Sequence, residues 1–183
     1  MKYFLKFILA GLFLSIPAEI VNQIYVHKSL SGFVQTAIVY VVFMVILFFL
    51  KNLFSRIFKN KFSNSLLWYI FLGLFGLLLV EWTLLGNRMA AIYGQIAMFT
   101  FWGSFILMPI IFTEDQTPPV LKKSIIKFSF FWIPIYLIAG IPNPGLGLII
   151  WIFGTIYLNY FYFKFFYFLK NNQNPMRSNT LPS

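Results

Sequence analysis

Glu19 and Glu81 are the residues of this sequence best suited to chemistry, because each places a carboxyl group inside a long apolar segment. The chain has only four acidic residues, and the other two, Glu114 and Asp115, follow the end of such a segment, where water reaches them. A charge at the bilayer centre costs about 2.5–3.5 kcal/mol on insertion scales, so it usually faces protein or water. We therefore predict Glu19 and Glu81 as catalytic residues, acting as proton donor or acceptor.

The positions of these glutamates along their segments place them at a similar depth. Glu19 lies nine residues before Lys28, which corresponds to ~13 Å of α-helix. Glu81 lies seven residues before Arg88, and Gln95 lies seven residues after it, each ~10 Å deep by the same rise. We therefore predict that three polar side chains from three helices share one layer in the outer half of the membrane.

Further polar residues extend this layer at helical spacing. Asn22 and Gln23 follow Glu19 by three and four residues, which places them on the same helix face. Gln35, Thr36 and Tyr40 enter the same outer half from the second segment. The predicted ligand-binding residues are Asn22, Gln23, His27, Arg88, Gln95 and Trp102.

A purely structural interpretation of the same residues stands beside this one. Arg88 could neutralise Glu81 across the turn at Gly86 and Asn87. Glu19 could form a hydrogen bond with Gln95 between helices, and such contacts are common within membrane bundles. Under this interpretation the polar layer holds the bundle together and binds nothing.

The elements that carry these residues are apolar helices. Of the 183 residues, 60% are hydrophobic and only 10% are charged, whereas a soluble domain has roughly a quarter charged residues. Helical runs of ~17 residues or more can cross a hydrocarbon core of ~30 Å. We predict an all-α, polytopic membrane bundle, a single domain over residues 1–170 with about six spans: 3–26, 33–50, 66–85, 89–112, 125–141 and 146–169.

The distribution of lysine and arginine predicts the orientation. With the N-terminus inside, 12 of the 14 basic residues fall in cytoplasmic segments, and only Lys28 and Arg88 fall outside. Both termini are thus expected in the cytoplasm. Between the second and third spans, residues 51–62 combine basic and apolar residues at helical spacing, which predicts a short interfacial helix. The polar segment 171–183 is expected to be a disordered cytoplasmic tail.

Composition excludes several classes of site. The chain has no cysteine and one histidine, so thiolate metal sites, iron–sulfur clusters and bis-histidine haem cannot form within it. We therefore predict no metal and no cofactor. The net charge of +10 is spread over helix ends without base-stacking motifs, which argues against nucleic-acid binding.

The N-terminus also resembles a signal peptide ending at Ala18, and its cleavage would leave five spans.

The best functional hypothesis is a protein of a bacterial cytoplasmic membrane that handles a lipid or isoprenoid-like molecule. Glu19 or Glu81 would donate or accept a proton, Arg88 would anchor a head group, and Trp and Phe residues would form the pocket for the tail, with membrane lipids around the protein. Two alternatives are a non-catalytic subunit or assembly factor of a membrane complex, with a membrane protein partner, and a small proton- or cation-coupled transporter. The transport hypothesis requires a polar path into the inner half. Few polar residues occur there, which weakens it, and the main candidates are Thr100, Ser104, Ser129, Thr155 and Asn159. The sequence does not decide between enzyme and non-enzyme.

Overall fold

The computed structural model describes residues 2–86 and 91–172, and all elements there are helical. Six helical rods are long and apolar enough to cross a membrane, so the chain has the architecture of a multi-pass membrane protein. Two of the rods change from α-helix to π-helix part-way. The elements are α1 (Lys2–Glu19), π1 (Ile20–Val26), α2 (Leu30–Ile57), α3 (Lys61–Leu74), π2 (Phe75–Leu84), α4 (Ile92–Thr113), α5 (Pro119–Gly140) and α6 (Pro144–Asn172).

Helix α4 is the centre of the bundle. It has no charged residue, and every residue from Phe101 to Ile111 is buried, as expected for a helix that is apolar all round. It packs against α1, α3 and α6, whereas α5 packs against α6. Helix α2 lies at the periphery, where it packs mainly against α1 and π1 and exposes a broad apolar face.

Local signals in the sequence explain where three helices begin. The Ser29 side chain accepts a hydrogen bond from the Gly32 amide at the start of α2, and Asn60 accepts one from the Ser63 amide at the start of α3. Asn143 caps α6 in the same way, through the amide of Leu146. Such caps satisfy amides that have no partner within the helix.

The predicted interfacial helix at 51–62 is not a separate element. Residues 51–57 are the last turns of α2, and α3 begins at Lys61 after a short break. Residues 33–60 contain no glycine or proline, so no helix-breaking residue ends α2 at Leu50. The cap that starts α3, at Asn60, then places the break about ten residues later than predicted.

The other predicted bounds differ less. The fifth predicted span, 125–141, falls almost entirely within a continuous 22-residue helix that passes through Pro134. Helix α6 continues through Asn171 and Asn172, the first two residues of the predicted tail. The rest of that tail, 173–183, lies outside the described residues.

The helices define two ends of the bundle. The basic end contains the start of α1, the loops at 58–60 and 114–118, and the end of α6. Contacts of Lys51 with Tyr3 and of Lys61 with Glu114 hold it together. The opposite end contains the loops at 27–29 and 141–143. Near it the backbones of α5 and α6 approach closely, because Gly140 and Gly147 face each other and neither has a Cβ.

Candidate functional site

Glu19 lies at the junction of α1 and π1 and points into the bundle. Only 8% of the residue is exposed. Its Oε1 accepts a hydrogen bond of 2.9 Å from the hydroxyl of Tyr40 on α2. Its Oε2 is buried and has no hydrogen-bond partner within residues 2–86 and 91–172. Since a buried acceptor without a donor is costly, this oxygen marks the place where a ligand could donate a hydrogen bond.

Glu81 lies within π2 and is 6% exposed. Its Oε1 accepts a hydrogen bond of 3.1 Å from the indole nitrogen of Trp102 on α4. Trp102 reaches this position because it lies against Gly76, where a Cβ would overlap the indole ring. Thus a glycine five residues before Glu81 on the same rod makes room for the side chain that binds the carboxylate.

The two carboxylates belong to one buried cluster. The rings of their donors, Tyr40 and Trp102, pack edge to face with centroids 6.5 Å apart. Phe105 packs against both rings. The two aromatic donors thus link glutamates that come from two different rods. We call Glu19, Tyr40, Glu81 and Trp102 the carboxylate cluster.

Both glutamates are associated with a π-helix. Glu19 immediately precedes π1, and Glu81 lies inside π2, and these are the two π-helices within the described residues. A π-helix bonds each amide to the carbonyl five residues earlier and is less stable than an α-helix, so it is rare and frequently occurs at functional sites.

Tyr136 on α5 adds a second phenol beside Glu19. Its hydroxyl lies 3.4 Å from the Ala18 carbonyl oxygen, a long hydrogen bond at the α1–π1 junction. The sequence analysis missed this residue, because a tyrosine in an apolar run more often faces the core or the lipid than a polar group. With Tyr136, five of the six rods contribute to the surroundings of the carboxylates.

The other predicted site residues are distributed differently. Asn22 and His27 are exposed at the opposite end of the bundle, and Gln23 is half-buried there, beside Gly32. The exposure of Asn22 has a local cause, because residues three apart no longer share a face once the chain turns into a π-helix. Gln95 is half-buried on α4. Arg88 lies outside the described residues, so neither its predicted role nor its pairing with Glu81 is tested.

A second buried polar cluster lies further along α4. The Tyr69 hydroxyl donates to Asn159, whose amide nitrogen donates to Thr100 at 2.8 Å. Ser104 and the hydroxyl of Tyr162 are 2.6 Å apart, and Ser104 also donates to the Thr100 carbonyl oxygen. We call these five residues the hydroxyl–amide network. It joins α3, α4 and α6 and includes three of the five residues predicted for an inner polar path.

The remaining two candidates for that path are buried elsewhere. The hydroxyls of Ser129 on α5 and Thr155 on α6 have no hydrogen-bond partner in the described part of the chain. No group of three or more His, Cys, Asp or Glu side chains that could hold a metal ion occurs among the described residues.

Comparisons with protein-family models, with the curated proteins and with the solved structures found no match. What the site does must therefore be argued from its own geometry. That geometry gives two buried carboxylates with one aromatic donor each, and a carboxylate oxygen left open on Glu19.

Proposed function

We propose that this protein binds a hydrophobic, lipid- or isoprenoid-like molecule, and that the carboxylate cluster contacts the polar group of that molecule. The observation that carries the proposal is the buried, unpartnered Oε2 of Glu19. A carboxylate oxygen accepts from a hydroxyl, an amine or an ammonium group, so the polar group of the ligand should be a hydrogen-bond donor.

The surroundings of the cluster suit an apolar ligand body. Phe43 and Phe105 pack on Trp102 and together form an aromatic wall beside the carboxylates. Large aromatic and apolar surfaces with few polar groups are typical of sites for hydrophobic small molecules. The polar group would then determine the orientation, and the aromatic wall would bind the remainder.

A ligand dissolved in the bilayer would reach the carboxylate cluster past helix α2. This helix lies between the carboxylates and the lipid. On its inner face Tyr40 and Phe43 both pack against Trp102. On its outer face Val39 and Val42 are exposed. A molecule dissolved in the bilayer could reach Glu19 if α2 moved outward and Tyr40 released Oε1. In a reaction the same carboxyl groups would act as proton donor or acceptor.

We also propose that the basic end faces the cytoplasm. Twelve of the 14 lysine and arginine residues belong to this end in the predicted topology, which is the distribution expected for N-in, C-in proteins. The carboxylate cluster would then lie in the half of the bilayer away from the cytoplasm.

The test is to purify the wild type and Glu19→Gln from the same membranes and to quantify the bound hydrophobic molecules by mass spectrometry. The substitution keeps the shape but removes an ionisable acceptor. We expect it to reduce the specifically retained molecule about tenfold, the effect of one charge-assisted hydrogen bond. Asp115→Asn, the same change at an exposed position, is the matched control and should retain the wild-type amount. Equal retention by wild type and a Glu19→Gln/Glu81→Gln double variant would refute the proposal, and a co-purifying protein partner instead would favour the subunit hypothesis.

A second candidate function is proton- or cation-coupled transport, and the hydroxyl–amide network is the observation that favours it. It supplies buried polar groups beyond the carboxylate cluster along α4, which a path across the bundle requires. Flux into proteoliposomes tests it. Asn159→Leu should abolish flux if the network conducts, and leave lipid retention unchanged. Absence of flux in the wild type would exclude this candidate.

A further inference from the structure

A groove between α5 and α6 at the basic end has the composition of a lipid-binding site. It has a volume of about 280 Å³ and is open along one side. Its lining is apolar except for two residues, one cation and one hydroxyl. The lining residues are Pro118, Val120, Leu121, Ser124, Phe161, Lys164 and Phe168.

Lys164 forms no ion pair within the described residues. Of the four acidic residues, Glu19 and Glu81 are buried in the carboxylate cluster, and Glu114 pairs with Lys51 and Lys61. Asp115 is exposed and forms no ion pair within the described residues. Because the chain has 14 basic and four acidic residues, the basic end carries excess positive charge, which attracts anions.

Lys164 lines the groove, and its ammonium group contacts an aromatic ring of the same helix. Its Nζ lies 4.3 Å from the ring centroid of Tyr160, one turn earlier on α6. This cation–π contact restricts a side chain that would otherwise move freely in solvent. The ammonium group and the Ser124 hydroxyl are both hydrogen-bond donors, the combination that suits a phosphate.

We propose that this groove binds an anionic phospholipid. The phosphate contacts Lys164 and Ser124, and an acyl chain lies on the apolar lining formed by Leu121 and Phe161. The charge complementarity selects an anionic lipid over a zwitterionic one, since the groove offers no carboxylate to a choline group. This site is more than a general basic surface, because the acyl chain and the head group are recognised together.

The experiment is native mass spectrometry of the full chain, titrated with phosphatidylglycerol and with phosphatidylcholine of identical acyl chains. The wild type should retain phosphatidylglycerol with about fivefold preference, the effect of one surface cation on an anionic lipid. Lys164→Gln should lose that preference. The matched control, Lys170→Gln, removes a charge from the same helix outside the groove lining and should keep it.

A groove-filling variant tests the acyl chain separately. Ser124→Phe keeps Lys164 but occupies the groove, so it should reduce retention of both lipids, with helicity and thermal unfolding measured in parallel. Equal losses of preference in Lys164→Gln and Lys170→Gln would overturn the proposal in favour of a diffuse surface field, and so would a wild type without preference. Full lipid retention by a folded Ser124→Phe would also overturn it. None of these results concerns the carboxylate cluster, so the experiment tests this proposal independently of the proposed function.

Discussion

The hydroxyl of Tyr40 donates to Oε1 of Glu19 over 2.9 Å, and this bond attaches the peripheral helix α2 to the interior of the bundle. It adds a polar contact to the aromatic packing of α2 against α4 at the depth of the carboxylate cluster. A ligand that displaced Tyr40 would gain access to the carboxylate and loosen α2 in the same step. The bond is therefore both a structural tie and the first contact that a ligand would have to replace.

Tyr40→Phe should lower the free energy of unfolding by about 1–3 kcal/mol, because it leaves a buried carboxylate oxygen without its donor. Hydrogen bonds in membrane proteins often contribute less, ~0.6 kcal/mol on average, so the charged acceptor is what raises this value. Unfolding in mixed micelles measures it. Tyr167→Phe, at a position 70% exposed, is the control and should change stability by less than ~0.5 kcal/mol. A double-mutant cycle with Glu19→Gln that gives no coupling would contradict the hydrogen bond.

Gly76→Ala should destabilise the protein by about 1–3 kcal/mol, because the new Cβ overlaps the Trp102 ring and forces it away from Glu81. Gly145→Ala, at an exposed position where a Cβ meets only an ordinary contact, should have little effect. The same unfolding assay applies. In a Trp102→Phe background the cost of Gly76→Ala should fall, since the smaller ring leaves room. Equal cost in both backgrounds would show that Gly76 does not act through Trp102.

Glu114→Gln should destabilise the basic end, because Lys51 is only 7% exposed and Glu114 lies 3.9 Å from its Nζ. The Glu114 side chain is itself 26% exposed, so the loss should stay below the ~3–5 kcal/mol typical of a fully buried pair. Asp115→Asn removes the same charge from the next, exposed residue and should be nearly neutral. Thermal unfolding of the two variants compares them. Equal effects would mean that net charge matters and the ion pair does not.

The absence of cysteine makes the orientation directly measurable. Lys59→Cys and Asn143→Cys place single thiols on exposed loop residues at opposite ends of the bundle. We expect a membrane-impermeant maleimide to label position 143 on intact cells and position 59 only after the membrane is opened, because the basic end should face the cytoplasm. The reverse pattern would invert the topology and place the carboxylate cluster in the cytoplasmic half.

Part of the site followed from the sequence, because it depends on properties that are local. A glutamate in an apolar run must find protein or water, so Glu19 and Glu81 were identifiable without a structure. Trp102 was among the predicted ligand-binding residues, and it lies seven residues after Gln95, which places both on one stripe of the helix. Tyr136 was not, because nothing in the residues around it indicates that its hydroxyl faces the backbone beside Glu19.

The errors of the sequence analysis also have a physical cause. Asn22 was placed on the Glu19 face by the α-helical repeat, but the chain turns into π1 after Glu19, and the repeat changes there. The end of the second span was predicted at residue 50 because basic residues begin at Lys51. In the structure α3 begins after Asn60, whose side chain caps that helix. Charge reports the environment of a residue, whereas helix ends depend on which amides and carbonyls find partners.

Length and apolarity thus determined by themselves that this chain forms six helices able to cross a membrane, because each helix satisfies its own backbone and needs only a run of apolar residues. Only the tertiary structure decided that Glu19 meets Tyr40, that Glu81 meets Trp102, and that the two donors pack on each other. Each carboxylate lies 21 positions from its donor in the sequence, and the two donors, Tyr40 and Trp102, lie much further apart, all on different rods. These pairings depend on how whole helix surfaces fit, including the space left by Gly76, and no local pattern encodes that fit.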